Sequence, residues 1–162
     1  MALTLTDTAS SLIYWLKNDD SAAAIRALIY DGATNVLEAG DLDVGMLTTA
    51  QQARRTADET DKVLYLTVHD AGEEGDGWES TQHVIIRLFD RDRGYRNLRA
   101  VRDLIRAAIT YDFDLPAVTA GGQKIGFLHL AFVGRTGYRR SVEYAADFEA
   151  ITFSSHILLE DD

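Results

Sequence analysis

The sequence predicts an α+β fold, a two-layer sandwich in which helices pack on one face of an antiparallel sheet of about four or more strands. Two observations lead to this expectation. Runs rich in β-branched and aromatic residues occupy the middle and the last third of the chain, and two other segments repeat apolar residues at helical spacing. The chain has 162 residues without a low-complexity linker, so residues 1–162 are expected to form a single domain.

Two segments are predicted to be amphipathic helices that cover the sheet. Residues 4–17 place apolar side chains three and four apart, with Thr4 as the expected cap. Residues 92–110 carry an apolar stripe at the same spacing, formed by Leu98, Val101, Leu104, Ile105, Ala108 and Ile109. Residues 22–30 fit a short helix or a strand equally well. A strand could begin at Asn35, after the Asp31-Gly32 turn signal.

The polar segment 44–60 is helix-compatible and only weakly amphipathic. We expect it to be a solvated surface segment, with contact to an assembly partner as the other interpretation.

The clearest strands are predicted at residues 63–69 and 81–91, because both are dense in valine, leucine, isoleucine and aromatic side chains. The acidic, glycine-rich stretch AGEEGDGWES lies between them. This order indicates an antiparallel hairpin with a long loop at its tip.

The end of the chain is predicted to hold a loop and two long strands. The loop is residues 111–123, which contain Pro116, and the strands are residues 124–135 and the run from Ser141 onward. Apolar residues of the last run change from even to odd positions, which predicts a bulge near Ala150 because a strand alternates with a period of two. The last four residues, 159–162, are expected to be an acidic, solvated tail.

Composition excludes several classes of function. The formal charge of −10 and a pI near 4.7 argue against sequence-independent binding of nucleic acid. The chain has no cysteine, so disulfides, thiol catalysis and cysteine-bound zinc are excluded. Its apolar runs are far shorter than the roughly 20 residues of a membrane span, and no signal peptide is evident. We expect a soluble protein that is intracellular when made, with no membrane partner.

No catalytic, cofactor or metal site is predicted. The four histidines have no metal-binding spacing and are expected to be ordinary sheet residues, and no nucleophile elbow, P-loop or GxGxxG motif is present. The hairpin carboxylates Glu73, Glu74, Asp76 and Glu79 are too few for calcium and lack EF-hand spacing. Trp78, in the same loop, is predicted either to anchor a protein interface or to fold back over the sheet edge.

Arginines are concentrated around the second helix of an otherwise acidic chain: Arg87, Arg91, Arg93, Arg96, Arg99, Arg102 and Arg106. One interpretation is a solvated helix face with local pairs to Asp90, Asp92 and Asp103. The other is that these guanidiniums bind the acidic surface of another copy. In that case the candidate interface residues are Arg91, Arg93, Arg96, Arg99, Arg106, Glu73, Glu74, Asp76 and Trp78.

Three stretches are distinctive: VLYLTVHD (63–70), the strand and helix HVIIRLFDRDRGYRNLRAVRDLIRAAI (83–109), and FVGRTGYRRSVEYAADFEAITF (132–153). In these stretches the chain resembles the tail terminator family of long-tailed bacteriophages. The resemblance covers roughly residues 20–157. The polar segment 41–61 departs from the shortest family members and is interpreted as a possible insertion.

The resemblance implies a structural virion protein without enzymatic activity. Such a protein forms a homohexameric ring at the head-proximal end of the tail tube, ends tube polymerisation and provides the surface that docks to the head. The implied partners are other copies of the chain, the tail tube protein and a head-completion or connector protein. Genome DNA would pass through the ring's lumen without specific binding, and an acidic lining would reduce its adhesion.

Three alternatives remain open at the level of sequence. One is another head–tail joining protein, such as a head-closure factor. A second is a small metal-dependent hydrolase or nuclease that uses Asp90, Asp92 and Asp103. The third is a host-encoded binding module with a similar arrangement of sheet and helices.

Overall fold

The computed structural model describes residues 8–75, 79–91, 95–118 and 124–158. Within these residues the helices are α1 (Thr8–Asn18), α2 (Ala23–Ala27), α3 (Val44–Thr56) and α4 (Tyr95–Ala108). The strands are β1 (Val36–Glu38), β2 (Tyr65–Gly75), β3 (Glu79–Asp90), β4 (Asp114–Val118), β5 (Lys124–Arg135), β6 (Arg139–Ser141) and β7 (Ala146–Leu158).

All seven strands belong to one sheet with the order β1-β2-β3-β7-β5-β4, in which β6 also pairs with β7. The pairing of β1 with β2 is parallel and every other pairing between these strands is antiparallel, so the sheet is mixed where an antiparallel one was predicted. The central pair is β3 with β7, which stay in one register from Glu79↔Leu158 to Asp90↔Asp147.

The main core lies between this sheet and helices α1, α2 and α4. Trp15 of α1, Ile105 of α4 and Phe153 of β7 are all at most 1% exposed in this cluster. The prediction that the first helix and the arginine-bearing helix cover the same face is therefore confirmed. The ambiguous segment 22–30 is helical at α2, and a strand does begin beside Asn35.

Helix α3 corrects the expectation that all helices pack on one face. Its Leu47 and Ala50 are buried in a second cluster together with Tyr65 and Phe89. Neighbouring residues of a strand point to opposite faces, and Leu66 of β2 belongs to the main core. The second cluster therefore lies on the other face of the sheet. The polar segment is partly a buried helix, although a solvated segment was expected.

Three local predictions are also wrong. The hairpin loop is shorter than expected, because β2 and β3 remain paired as far as Gly75↔Ser80. The loop predicted around Pro116 contains β4, whose position at the edge of the sheet tolerates a residue without an N–H group. The last strand has no bulge against β3; the irregularity lies in β5, between Phe132 and Gly134.

The expected change of parity in β7 does not occur. From Asp147 to Ser155 its odd-numbered residues are buried on the side of the main core, and the first two of them are the carboxylates Asp147 and Glu149. Val142 and Tyr144 precede the strand, in the turn after β6. Because the sequence pattern counts only apolar residues, it missed two buried acids and suggested a bulge.

Candidate assembly surfaces

The arginines of α4 divide between the protein interior and its surface. Arg102 is only 8% exposed, and its guanidinium binds the carboxylate of Glu149 at 3.1 Å. Arg99 is exposed, and its ion pair with Asp103, one turn along the helix, is long at 3.9 Å. Arg96 is exposed beside Asn97 at a shallow cleft. The predicted basic helix face therefore consists of Arg96 and Arg99, whereas Arg102 stabilises the fold.

Two other candidate arginines make contacts within the chain. Arg91 donates hydrogen bonds to the hydroxyl of Thr48 and to the backbone carbonyl of Tyr144, both at 2.9 Å, so it connects α3 to the turn before β7. The guanidinium of Arg106 lies 3.4 Å from the centre of the Phe132 ring, a cation–π contact. Arg93 lies outside the described residues.

Glu149 is the centre of a charged group that sequence reasoning missed. Its carboxylate is fully buried and also binds Arg135 of β5 at 2.7 Å. Burial alone would lower the pKa of Arg102, but hydrogen bonds to Tyr95, Glu149 and Asp103 and the charge of Glu149 raise it overall. Through these two ion pairs Glu149 holds α4 and β5 against β7. The sequence signal for this buried charged group was the pair of acidic residues at odd-numbered positions of β7, Asp147 and Glu149.

Asp147 performs a similar role near the end of the sheet. It accepts hydrogen bonds from the hydroxyl of Tyr138 at 2.8 Å and from the guanidinium of Arg140 at 3.2 Å. The hydrogen bond to Asp147 raises the pKa of the Tyr138 phenol above its ordinary value. Asp147 thereby holds the residues around β6 against β7, while Tyr138 and Arg140 stay about half exposed.

Asp90 and Arg54 form a fully buried ion pair. Their side chains are both 0% exposed and approach to 2.5 Å. The second oxygen of Asp90 accepts a hydrogen bond from the amide of Asn97 at 2.7 Å, so the pair joins α3, β3 and α4. Burial raises the pKa of the Asp90 carboxyl, although the charge of Arg54 and the hydrogen bonds act in the opposite direction. This pair is a structural junction inside the protein.

These contacts bear on the hydrolase interpretation. The carboxylate of Asp90 forms a buried ion pair with Arg54, and that of Asp103 forms ion pairs at the surface with Arg99 and Arg102. Asp92 lies outside the described residues. In the part of the chain that the structure describes, no three histidines or carboxylates are grouped so that they could hold a metal ion.

The acidic hairpin is built from the far ends of β2 and β3. Glu73 and Glu74 are exposed strand residues, and Glu73 accepts a hydrogen bond from the Ser80 hydroxyl across the ladder. Asp76 and Trp78, the other two candidates at this tip, lie outside the described residues. Glu73 and Glu74 therefore form an acidic ribbon along the β2 side of the sheet.

Exposed apolar residues surround β5. Phe127 alternates with the core residue Leu128, so it points away from the main core and is 72% exposed, and Val133, at the irregularity of β5, is 56% exposed. On the helix side, Tyr111, Phe132 and the end of α4 line a groove of about 470 Å³. Large exposed aromatic residues grouped in this way are typical of a protein interface.

The four histidines share the outer face of the sheet. His69, His83, His129 and His156 lie on β2, β3, β5 and β7, and each has the parity opposite to the core residues of its strand. The expectation that they are strand residues is confirmed. They add polar groups to the outer face, between the acidic ribbon and the apolar residues of β5.

Among the described residues, no helix has the length and apolar character that crossing a membrane requires.

Comparison with known proteins gives a likeness of fold. The sequence matches no protein-family profile and no curated protein. Among solved structures, the chain is similar to one from the virion of a native gene transfer agent (GTA) particle, with a TM-score of 0.54 and 15% identical residues. The likeness covers 94% of this chain and 95% of that chain. At this level of identity the likeness shows a shared fold over nearly the whole length of both proteins.

Proposed function

We propose that this chain is a structural protein of a phage-like virion. The observation that supports this most strongly is the likeness of fold to a gene transfer agent virion chain over 94% of this chain and 95% of that one. The charged side chains agree with this proposal, because Glu149, Asp147 and Asp90 bind arginines of the fold.

We further propose the more specific role of tail terminator. In this role several copies, six by the family resemblance, form a ring at the head-proximal end of the tail tube. The ring ends tube polymerisation and then docks to a head-completion or connector protein, while genome DNA passes through its lumen. Such a protein needs several separate contact surfaces. The acidic ribbon at Glu73 and Glu74, the exposed arginines of α4 and the apolar surface of β5 are three candidates.

The proposal is tested by electron microscopy of the purified chain with tubes assembled from the tail tube protein of the same virus. A terminator is expected to add a ring-shaped cap to one end of each tube and to stop further growth when fresh tube subunits are added. A matched sample of tubes without the chain controls for natural tube ends.

Two results would contradict the terminator role. Tubes that keep growing at the same rate in the presence of excess chain would exclude termination. A ring that binds isolated heads and ignores tubes would identify a head-closure protein instead, within the same class of virion components.

A further inference from the structure

Two strand edges at opposite sides of the sheet have no strand partner among the described residues. Strand β5 pairs with β4 only as far as His129, so its segment Leu130–Arg135 pairs with β7 on one side and is open on the other. Strand β6 continues this open edge. On the opposite side, β1 pairs only with residues 66–68 of β2, so the outer edge of β2 is open over residues 69–75. Open edges present unpaired N–H and C=O groups that can bind another chain.

The two open edges carry opposite charge. From Asp114 to Glu143 the intervening sequence contains no Asp or Glu, and its basic residues include Arg135, Arg139 and Arg140. From Lys62 to Arg87 the intervening sequence contains no Lys or Arg, and its acidic residues include Asp70, Glu73 and Glu74. In a chain of net charge −10, the β5–β6 edge is therefore basic and the β2 edge is acidic.

The fold fixes the basic edge in place before any partner binds. Buried Glu149 holds Arg135, and Asp147 holds Arg140, yet these guanidinium side chains remain 46% and 57% exposed. A preorganised side chain loses less conformational entropy when it binds a second carboxylate. Arg139 lies between them in sequence, is exposed, and has no ion pair in the described part of the chain.

The surroundings of the two edges also fit a contact between them. Exposed Phe127 and Val133 flank the basic edge. Beside the acidic edge lies an open cleft of about 350 Å³, and Glu38, Gly40 and Asp70 are among the residues that line it. The basic edge thus has exposed apolar side chains beside it, and the acidic edge has a cleft beside it that could receive them.

We propose that the β5–β6 edge of one copy of this chain binds the acidic β2 edge of a second copy. The two edges lie on opposite sides of the sheet, so they meet only between molecules. A contact of this head-to-tail kind, repeated with rotation, closes into a ring. The inference rests on the proposed function, since it assigns the subunit contact of the proposed ring to these edges and places the exposed arginines of α4 outside that contact.

The experiment uses charge exchange in the full chain. Arg139→Glu and Glu74→Arg each place like charges against each other, and each is expected to weaken self-association about tenfold or more. The double variant Arg139→Glu/Glu74→Arg restores opposite charges and is expected to return to within about threefold of the unaltered chain. Sedimentation velocity over a range of protein concentration and salt measures the association.

The matched control is Arg99→Glu, the same change at an exposed arginine of α4. It is expected to leave self-association unchanged. All variants should keep the unfolding temperature of the original chain, because each altered side chain is exposed.

Three outcomes would overturn the inference: a chain that is monomeric at every concentration, single variants that associate normally, or dissociation caused by Arg99→Glu alone. Tube capping is measured in parallel. A chain that self-associates through these edges without capping tubes would overturn the proposed terminator role and leave the edge contact standing.

Discussion

The buried pair of Arg54 and Asp90 allows a quantitative test of how α3 is attached to the rest of the protein. The perturbation is a double-mutant cycle of Arg54→Met, Asp90→Asn and both changes together. Each single change leaves one ionic or strongly polar group without its partner at a site that is 0% exposed. Breaking a buried ion pair from one side costs about 3–5 kcal/mol.

The expected loss is a large share of the total stability. A domain of this size has a free energy of unfolding of about 5–15 kcal/mol. A loss of about 3–5 kcal/mol corresponds to a fall of roughly 6–20 °C in the unfolding temperature. The double variant removes both charges, and the remaining amide still accepts the hydrogen bond of Asn97. Its stability is therefore expected to lie within about 1–2 kcal/mol of the original chain.

Urea unfolding followed by circular dichroism measures these differences. Arg99→Met is the control, because it removes an exposed arginine whose ion pair spans 3.9 Å, and its cost should stay below about 1 kcal/mol. Losses that simply add in the double variant would refute the reasoning, as would a loss below about 1 kcal/mol for Arg54→Met. Either result would mean that the junction is not closed to water.

Three further predictions concern the strands at the other side of the sheet. Glu149→Gln removes the buried carboxylate that Arg102 and Arg135 share and leaves Arg102 paired with Asp103 alone, so it should cost about 2–4 kcal/mol in urea unfolding; a loss below about 1 kcal/mol would contradict the burial of this group. Pro116→Ala should change the free energy of unfolding by less than about 0.5 kcal/mol, because proline has no N–H that could bond β5. Ala117→Pro should cost about 1–3 kcal/mol, because N–H groups alternate in direction along a strand and that of Ala117 then faces β5. Equal effects of the two changes would contradict this assignment. The phenol of Tyr138 donates a hydrogen bond to Asp147 and has a raised pKa. Its contribution to the free energy of unfolding is therefore complete below pH 10 and disappears as the pH rises through the folded-state pKa. The unfolding temperature of Tyr138→Phe should therefore approach that of the original chain above pH 10, and a constant difference would disprove the hydrogen bond's role.

The sequence predicted the elements whose pattern is local. The apolar stripe of α4 repeats every three or four residues, and one turn of helix is enough to display it, so its buried face was predicted from Leu98 to Ile109. The hairpin of β2 and β3 was likewise visible, since both strands are continuous in sequence and separated by glycines. The length of its loop was not visible, because exposed strand residues such as Glu73 and Glu74 have no apolar pattern.

The exposure of the candidate interface residues was predicted in part. Arg96 and Arg99 are exposed on α4, as the interface hypothesis requires, but Arg91 and Arg106 make contacts inside the chain. Periodicity separates polar from apolar faces, and it cannot show which polar residue faces a buried acid. That information depends on β7, whose Glu149 lies 47 residues from Arg102 in the chain.

By itself, the sequence determined helices α1 and α4, most of the strands and the segregation of charge into acidic and basic stretches, because each depends on neighbours along the chain. Only the tertiary structure decided where those stretches lie. The strand order places the acidic β2 edge and the basic β5–β6 edge on opposite sides of the sheet, and it brings Glu149 under Arg102 and Arg135. The physical reason is that hydrogen bonding between strands and ion pairing act through space, between residues that the chain itself keeps far apart.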